Sequence, residues 1–446
     1  MTETASETRP AAPVEHELID GAGGSCGCPF ATVNQLPDVS KLMRTKGAVA
    51  HKPELFAGVK ADPVNGEINV REFLGASFMF NEGDSHRSRR KLLNPLVRVD
   101  ALSGIREEII LPEADRLLEE RRRTADADGL VRMDLVDFLE RVFLHFTARL
   151  IGLTDMERNE RIELMRSFAG PIAAGMSSAY LADRTAVNKM ALEAKSRYAA
   201  EFVHPSLEWH REQRKRIDAG EISEDDIPNS LLKMVAAGLH PDWEKDEDVV
   251  VESGLLFAAS VGTSTQSIVH TLDLLQGWFA EHPEDLADAT DSTFLLNALC
   301  EVIRMRAPFS PYTTRLALTD NELSDGTKIH AGQELHIEWV RANRDTEVFG
   351  EDANRFNPRR PEPKNGVNRY GLGFGMGTHQ CYGLRVVVGN DGKGGAHVEL
   401  LRKLMAAGIR PDPENPPTSL KKDMNKFSVE DIPRYTAYPV LLTPEA

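Results

Sequence analysis

The stretch FGMGTHQCYG, residues 374–383, constrains this chain more than any other. It sets one of only four cysteines among glycines at 375, 377 and 383. Glycine lets a backbone turn tightly and lie close against a flat partner. The segment YGLRVVV after Cys381 has the pattern of an opening helix. A cysteine at a helix N-terminus gains from unsatisfied amides and from the helix dipole, which favour its thiolate. Taken alone, the loop either buries a plain cysteine or presents a thiolate to something flat.

The rest of the chain narrows the choice. It has 446 residues, of which 41% are hydrophobic and 27% charged, enough for a large buried core. The net charge of −16 argues against nucleic acid and against anionic membrane surfaces as partners. Cys26, Cys28, Cys300 and Cys381 are too few and too scattered for a disulfide framework, which points to a reducing cytoplasm. No apolar run reaches the 18 residues a membrane span needs. Residues 1–30 read as a polar, flexible lead without the basic start and apolar core of a secretion signal. The Cys26–Gly–Cys28 pair inside it would need further ligands to hold a metal, and none sit nearby.

From residue 31 to 446 the patterns belong to one mainly α-helical domain with a minor β region. In DLVDFLERVFLHFTARLIGL (134–153), apolar residues recur at three- and four-residue steps, giving one buried helical face. Similar patterns predict helices over 103–122, 156–168, 185–215, 246–280 and 293–306. TTRLALT, QELHIEWV and RYTAYPVLL alternate as strands do.

A glycine-rich loop carrying a thiolate meets the needs of an axial ligand to haem iron. The spacing Phe374-x-x-Gly377-x-His379-x-Cys381-x-Gly383 resembles the haem-binding loop of the cytochrome P-450 family. Other segments resemble the same family in its order: HRSRRK (86–91), EVIR (301–304), RMRAPFSPYTTR (304–315) and VRANRDTEVFGEDANRFNPRR (340–360). The resemblance implies one cytochrome P-450 fold, with haem b between a distal helix and the cysteine loop. It makes Cys381 the iron ligand and Phe374 the shield of its sulfur, with Gly375 and Gly383 shaping the loop. It places His86, Arg90, Arg315 and His379 on the haem propionates, and makes Glu301 and Arg304 a buried structural pair that also engages Arg359 or Arg360.

Two departures stand out. LLFAASVGTSTQSIVHTL (255–272) occupies the place of the distal helix, where the family carries a glycine, an acid and then a threonine. Aligning Gly262 with the glycine puts Ser264 on the acid and Thr265 on the alcohol; a shifted register puts Gly262 on the acid and Thr263 on the alcohol. Neither register supplies a carboxylate, although Ser264 and Gln266 are able to order water. The second departure is GNDGKGGAHV (389–398), whose four glycines predict a break near 389–396 in the helix after the cysteine.

What the resemblance implies is oxidation of a hydrophobic or aromatic small molecule, with electrons from a separate ferredoxin and its reductase docking near Arg385, Lys393, Arg402 and Lys403. The missing acid keeps a rival open: a peroxide-using, coupling, isomerising or ligand-binding haem-thiolate protein. By position in the family, substrate contacts fall at Phe168, Ile172, Phe257, Ala258, Val261, Phe309, Tyr312 and Phe427.

Overall fold

A computed structural model describes residues 30–50, 71–125, 129–176, 184–308, 312–390, 395–420 and 432–443. Its spine is a helix of 36 residues, Asp246–Glu281. Asp246, Glu247 and Asp248 stand in the first turn, where negative charge complements the helix dipole. Around this spine pack the helices Leu135–Ile151, Ser292–Arg306 and Asn159–Met176. Leu135–Ile151 starts where the Asp134 carboxylate accepts from the Val136 N–H, and ends at Gly152, whose φ of 93° is left-handed. Its predicted apolar face is buried: Leu135, Phe138, Leu139, Val142, Phe143 and Phe146 are all inaccessible or nearly so. Full burial of such side chains contributes about 1.5–3 kcal/mol each.

The helix expected over 103–122 divides into Val99–Ile105, a wider π turn at Arg106–Ile110, and Leu111–Arg122. The segment expected over 185–215 divides the same way, into Arg184–Tyr198, Ala199–Val203 and His204–Asp218. Hydrophobic periodicity marks the helical face in both, but it does not register one extra residue in a turn.

The β region lies to one side. A four-stranded sheet runs in the order Phe30–Val33, Glu334–Glu338, Tyr312–Ala317, Val49–Ala50, with the first pair parallel and the others antiparallel. It has its own apolar core of Val33, Leu36, Val39, Leu335 and Ile337 with their neighbours, separate from the helical one. Pro439–Leu442 pairs with Val131–Asp134 and with Arg410–Pro411, and Arg434–Ala437 pairs with Thr418–Leu420.

The predicted break behind the cysteine is present. Leu384–Val388 forms a helix of five residues that ends at Gly389, and helix resumes at Ala396–Ala406. Gly395 lies so close to the preceding turn that a Cβ there would sit 2.3 Å from the Val387 carbonyl oxygen. The break therefore folds the second helix back against the first, an approach only glycine permits.

One buried ionic cluster joins the helical and sheet sides. Glu301 accepts from Arg304 at 2.7 and 2.8 Å and from Arg360 at 2.9 Å. Arg304, fully buried, also donates to the carbonyls of Asn343 and Ala353. Arg360 is thus the second arginine of the cluster, while Arg359 points out to Asp285 and Asp288. Asn343 answers by donating to the Arg304 carbonyl and accepting from the Leu372 N–H, at the entrance to the cysteine loop.

Two predictions follow from these burials. Glu301→Gln leaves two buried guanidinium groups without their carboxylate, and is expected to cost about 3–5 kcal/mol in urea unfolding. A loss under 1 kcal/mol would show that the cluster carries little. The second concerns acid. His397 and His270 are buried, and desolvation lowers each imidazole to about 3. Between that value and the unfolded value near 6.5, the unfolded chain takes up protons that the folded chain refuses. Stability therefore falls as pH drops through this window, by up to about 1.4 kcal/mol per pH unit for each histidine. His397 stacks on Phe143, so His397→Phe keeps the packing and should flatten the decline between pH 6 and pH 4. An unchanged slope would rule His397 out as a source.

Candidate functional site

The cysteine loop is held by its backbone. The Cys381 N–H donates to the Phe374 carbonyl at 2.8 Å, closing the turn, and the Phe374 ring is buried. Gly377 has a φ of 73°, and a Cβ there would stand 2.4 Å from the Met43 carbonyl oxygen. The loop thus lies directly on the helix Leu36–Arg44.

Cys381 is exposed, yet protein surrounds its sulfur closely enough to push the thiol above its ordinary value through desolvation. The N–H groups of Gly383 and Leu384 and the charge of Arg90 pull the other way. They do not win, so helix amides alone do not hold this cysteine as a thiolate; the helix behind it is only five residues long. A bound metal would, because a coordinating thiol is deprotonated outright.

Cationic side chains gather beside the loop. His86 Nε2 lies 3.1 Å and Arg90 Nη1 3.3 Å from the Thr378 carbonyl oxygen, so the pair shares one helix face as its four-residue spacing predicts. The His379 ring lies 4.2 Å from that of His86, and its Nε2 is 3.0 Å from Glu82 Oε2. Arg315 is 6% exposed, and it donates only to the Thr313 hydroxyl and the Thr314 carbonyl. Desolvation lowers it to about 10, with the more distant Glu82 as the one acid opposing that. Among the described residues no carboxylate forms an ion pair with Arg315. A buried guanidinium without a counter-charge is costly, and an anionic ligand would relieve it. An exposed cysteine with basic side chains beside its loop, and the buried, uncompensated charge of Arg315, fit a haem with its two propionates.

The distal helix resolves into faces. Ala258, Ala259, Ser260, Gly262 and Thr263 are partly exposed, between the buried runs 249–257 and 264–272 of the helix. Thr263 donates to the Ala259 carbonyl at 2.6 Å. Thr265 is fully buried one seven-residue step from Ala258, and Ser264 and Gln266 are buried beside it. In this structure Gly262 and Thr263 of the shifted register are partly accessible, whereas Ser264 and Thr265 of the other are covered. Gln266 ties the helix to a neighbouring strand: its amide donates to the Tyr435 carbonyl at 2.8 Å and accepts from the Tyr435 N–H at 3.0 Å.

The expected substrate contacts divide similarly. Phe168, Ile172, Phe257 and Val261 are closed off in the core, with Phe257 stacked on Tyr198 at 4.9 Å. Tyr312 is buried against His336. Ala258 alone of these is partly exposed. Phe309 and Phe427 lie outside the described residues, as do Cys26, Cys28 and Lys393. Of the cations expected to meet an electron donor, Arg402 is paired with Glu399 and Lys403 with Asp115, leaving Arg385 exposed.

Sequence reasoning missed Arg89 and Glu252. Arg89, one turn after His86 on the same helix, donates to Glu252 at 2.7 Å with both side chains buried. Glu252 also accepts from the Phe78 N–H and from the Trp243 indole. The signal was an acid inside the apolar run VVVESGLLF. A carboxylate there must find partners, and desolvation still raises it above its ordinary value.

The cytochrome P450 family model matches residues 39–284 and 280–386, and the chain belongs to that family. It is an enzyme of the monooxygenase class and a haem protein. Cytochrome P450 monooxygenase 205 of Postia placenta is 23% identical over 394 residues, covering 72% of this chain and 69% of that protein. Cytochrome P450 GfsF of Streptomyces halstedii is 30% identical over 162 residues, 36% of each chain. P450BioI, solved in complex with a hexadec-9Z-enoic acid ligated acyl carrier protein, superposes over 93% of this chain and 92% of its own with a TM-score of 0.66 at 16% identity. The family match stops at residue 386, just before the glycine break.

Arg315 provides the test of the cationic rim. If its buried charge waits for an anion, Arg315→Leu should stabilise the haem-free protein, on the order of 3 kcal/mol from the displaced titration. The same change should speed haem loss to apomyoglobin. Destabilisation of the haem-free protein together with unchanged haem retention would contradict that role.

Proposed function

We propose that this chain is a haem b monooxygenase that transfers one oxygen atom from dioxygen to a mainly apolar small molecule, by hydroxylation, dealkylation or epoxidation. The observation that carries the reading is Cys381: an exposed cysteine in a tight glycine-rich turn, met by two backbone N–H groups and by the charge of Arg90. Haem bound through this sulfur supplies oxygen activation, with the thiolate pushing electron density toward O–O cleavage. Around it the chain's own residues have separate duties. His86, Arg90, Arg315 and His379 hold the propionates, and Phe374 shields the sulfur from one side. Thr263 is the distal alcohol, and its hydroxyl is held at the Ala259 carbonyl until a ligand or water competes for it.

Gly262 takes the place of the family's acid, so protons reach the site through water rather than from a carboxylate on this helix. Electrons come from a separate ferredoxin and its reductase. Among the described residues no helix is long and apolar enough to cross a membrane, which suits a soluble donor. The acid-free stretch also supports a second reading, in which hydrogen peroxide is the oxidant and no protonated carboxylate is required.

Cys381→Ala should abolish the carbon monoxide difference band of thiolate-ligated ferrous haem; a band that survives means another ligand. Thr263→Ala should raise the NADPH oxidised per product by about tenfold, whereas Thr265→Ala should leave that ratio within twofold. The reverse order would restore the register with Thr265 as the alcohol. Product formed with peroxide alone, and none with ferredoxin, reductase and dioxygen, would select the second reading.

A further inference from the structure

The partly exposed stretch of the distal helix lacks an acid, but it has a base poised over it. Gly262 stands at the acid position, and a Cβ built on it would meet Arg434 Nη2 at 3.6 Å. Arg434 comes from a different element, the strand Arg434–Ala437. That strand is fixed to the helix one turn further on, where Gln266 makes both backbone hydrogen bonds of Tyr435. The guanidinium is therefore placed by a two-point clamp on its neighbour rather than by chance contact. A Cβ at 262 would therefore be in ordinary van der Waals contact with the guanidinium, and a longer side chain there would reach it.

Arg434 is exposed, and among the described residues no carboxylate pairs with it. The nearest acid along the helix is Asp273, two turns beyond Gln266, and it is already engaged by Arg306 at 3.0 Å. The other basic side chains of the site, His86, Arg90 and His379, gather at the Thr378 carbonyl and Glu82, on the cysteine-loop side. A planar guanidinium held over a partly exposed stretch with Ala258, Ala259, Gly262 and Thr263 joins one charged fork to small, mostly apolar surface. Such a fork matches a carboxylate in two parallel hydrogen bonds, and does so best where water is scarce.

We propose that Arg434 is a specificity-determining residue and that the substrate is an apolar molecule bearing a carboxylate, held by Arg434 across Gly262. This rests on the monooxygenase reading of the same site. It extends that reading by giving the substrate a charge. The glycine at 262 is then more than a missing acid, because an aspartate there would occupy the guanidinium and displace the substrate's own carboxylate.

The test compares matched ligands on the haem-loaded protein by titration calorimetry at pH 7.5, where carboxylic acids are ionised. The probes are dodecanoic acid with dodecanamide, and 4-phenylbutanoic acid with its amide. At least one acid should bind wild-type protein tenfold or more tightly than its amide. Arg434→Gln should remove that preference by weakening the acid while leaving the amide within twofold, and Arg434→Lys should keep part of it. Gly262→Asp, which leaves Arg434 in place, should remove the preference as well. Equal binding of acid and amide to wild type overturns the proposal. So does equal weakening of both by Arg434→Gln, which would mean the residue only supports the strand, and so does loss of haem from that variant, which would make it a cofactor contact. Failure of the underlying reading shows separately, as a wild-type protein that takes up haem but gives no thiolate-type carbon monoxide band.

Discussion

Every feature of the site depends on one buried carboxylate. Glu301 neutralises Arg304 and Arg360 together, and without it two guanidinium groups would be stranded in the core. Arg304 in turn fixes the Asn343 carbonyl, and the Asn343 side chain receives the Leu372 N–H two residues before the loop begins its turn at Phe374. The position of Cys381 is therefore set by a chain of hydrogen bonds that starts on the helix Ser292–Arg306, far from it in sequence. Buried pairs of this kind add little net stability over an apolar core, but they are costly to break. Their value here is placement.

The two halves of the site follow opposite electrostatic rules. On the cysteine-loop side, cations collect around the Thr378 carbonyl and in the buried Arg315, where the protein alone offers too little negative charge to satisfy them. The distal side offers small residues and an alcohol, with Arg434 leaning over a glycine. Charge is thus left unbalanced where a ligand or cofactor is to bind, and balanced wherever the fold needs support, as between Arg89 and Glu252.

Much of this was legible in the sequence. The cysteine loop, the Glu301–Arg304 pair and the glycine break all rest on local spacing, and local spacing survives folding. The helices around Phe143 and along 246–280 were readable because their apolar periodicity is long. The distal register was not, because VGTSTQ offers hydroxyls at three successive positions, 263 to 265. Substrate contacts were read from position in a family fold, and Phe168, Ile172 and Phe257 are buried among their neighbours in this structure. Arg434 was invisible for a different reason. It lies more than 170 residues from Gly262 in sequence, and only the clamp between Gln266 and Tyr435 brings them together.

The central claim is that Cys381 and the cation cluster are the two ends of one haem site. A crystal structure of the haem-loaded protein tests it most directly. The account predicts iron bonded to Cys381 Sγ, propionates among His86, Arg90, Arg315 and His379, and Gly262 and Thr263 facing the opposite side of the ring. Iron bonded to a histidine instead, or propionates directed away from Arg315, would contradict it.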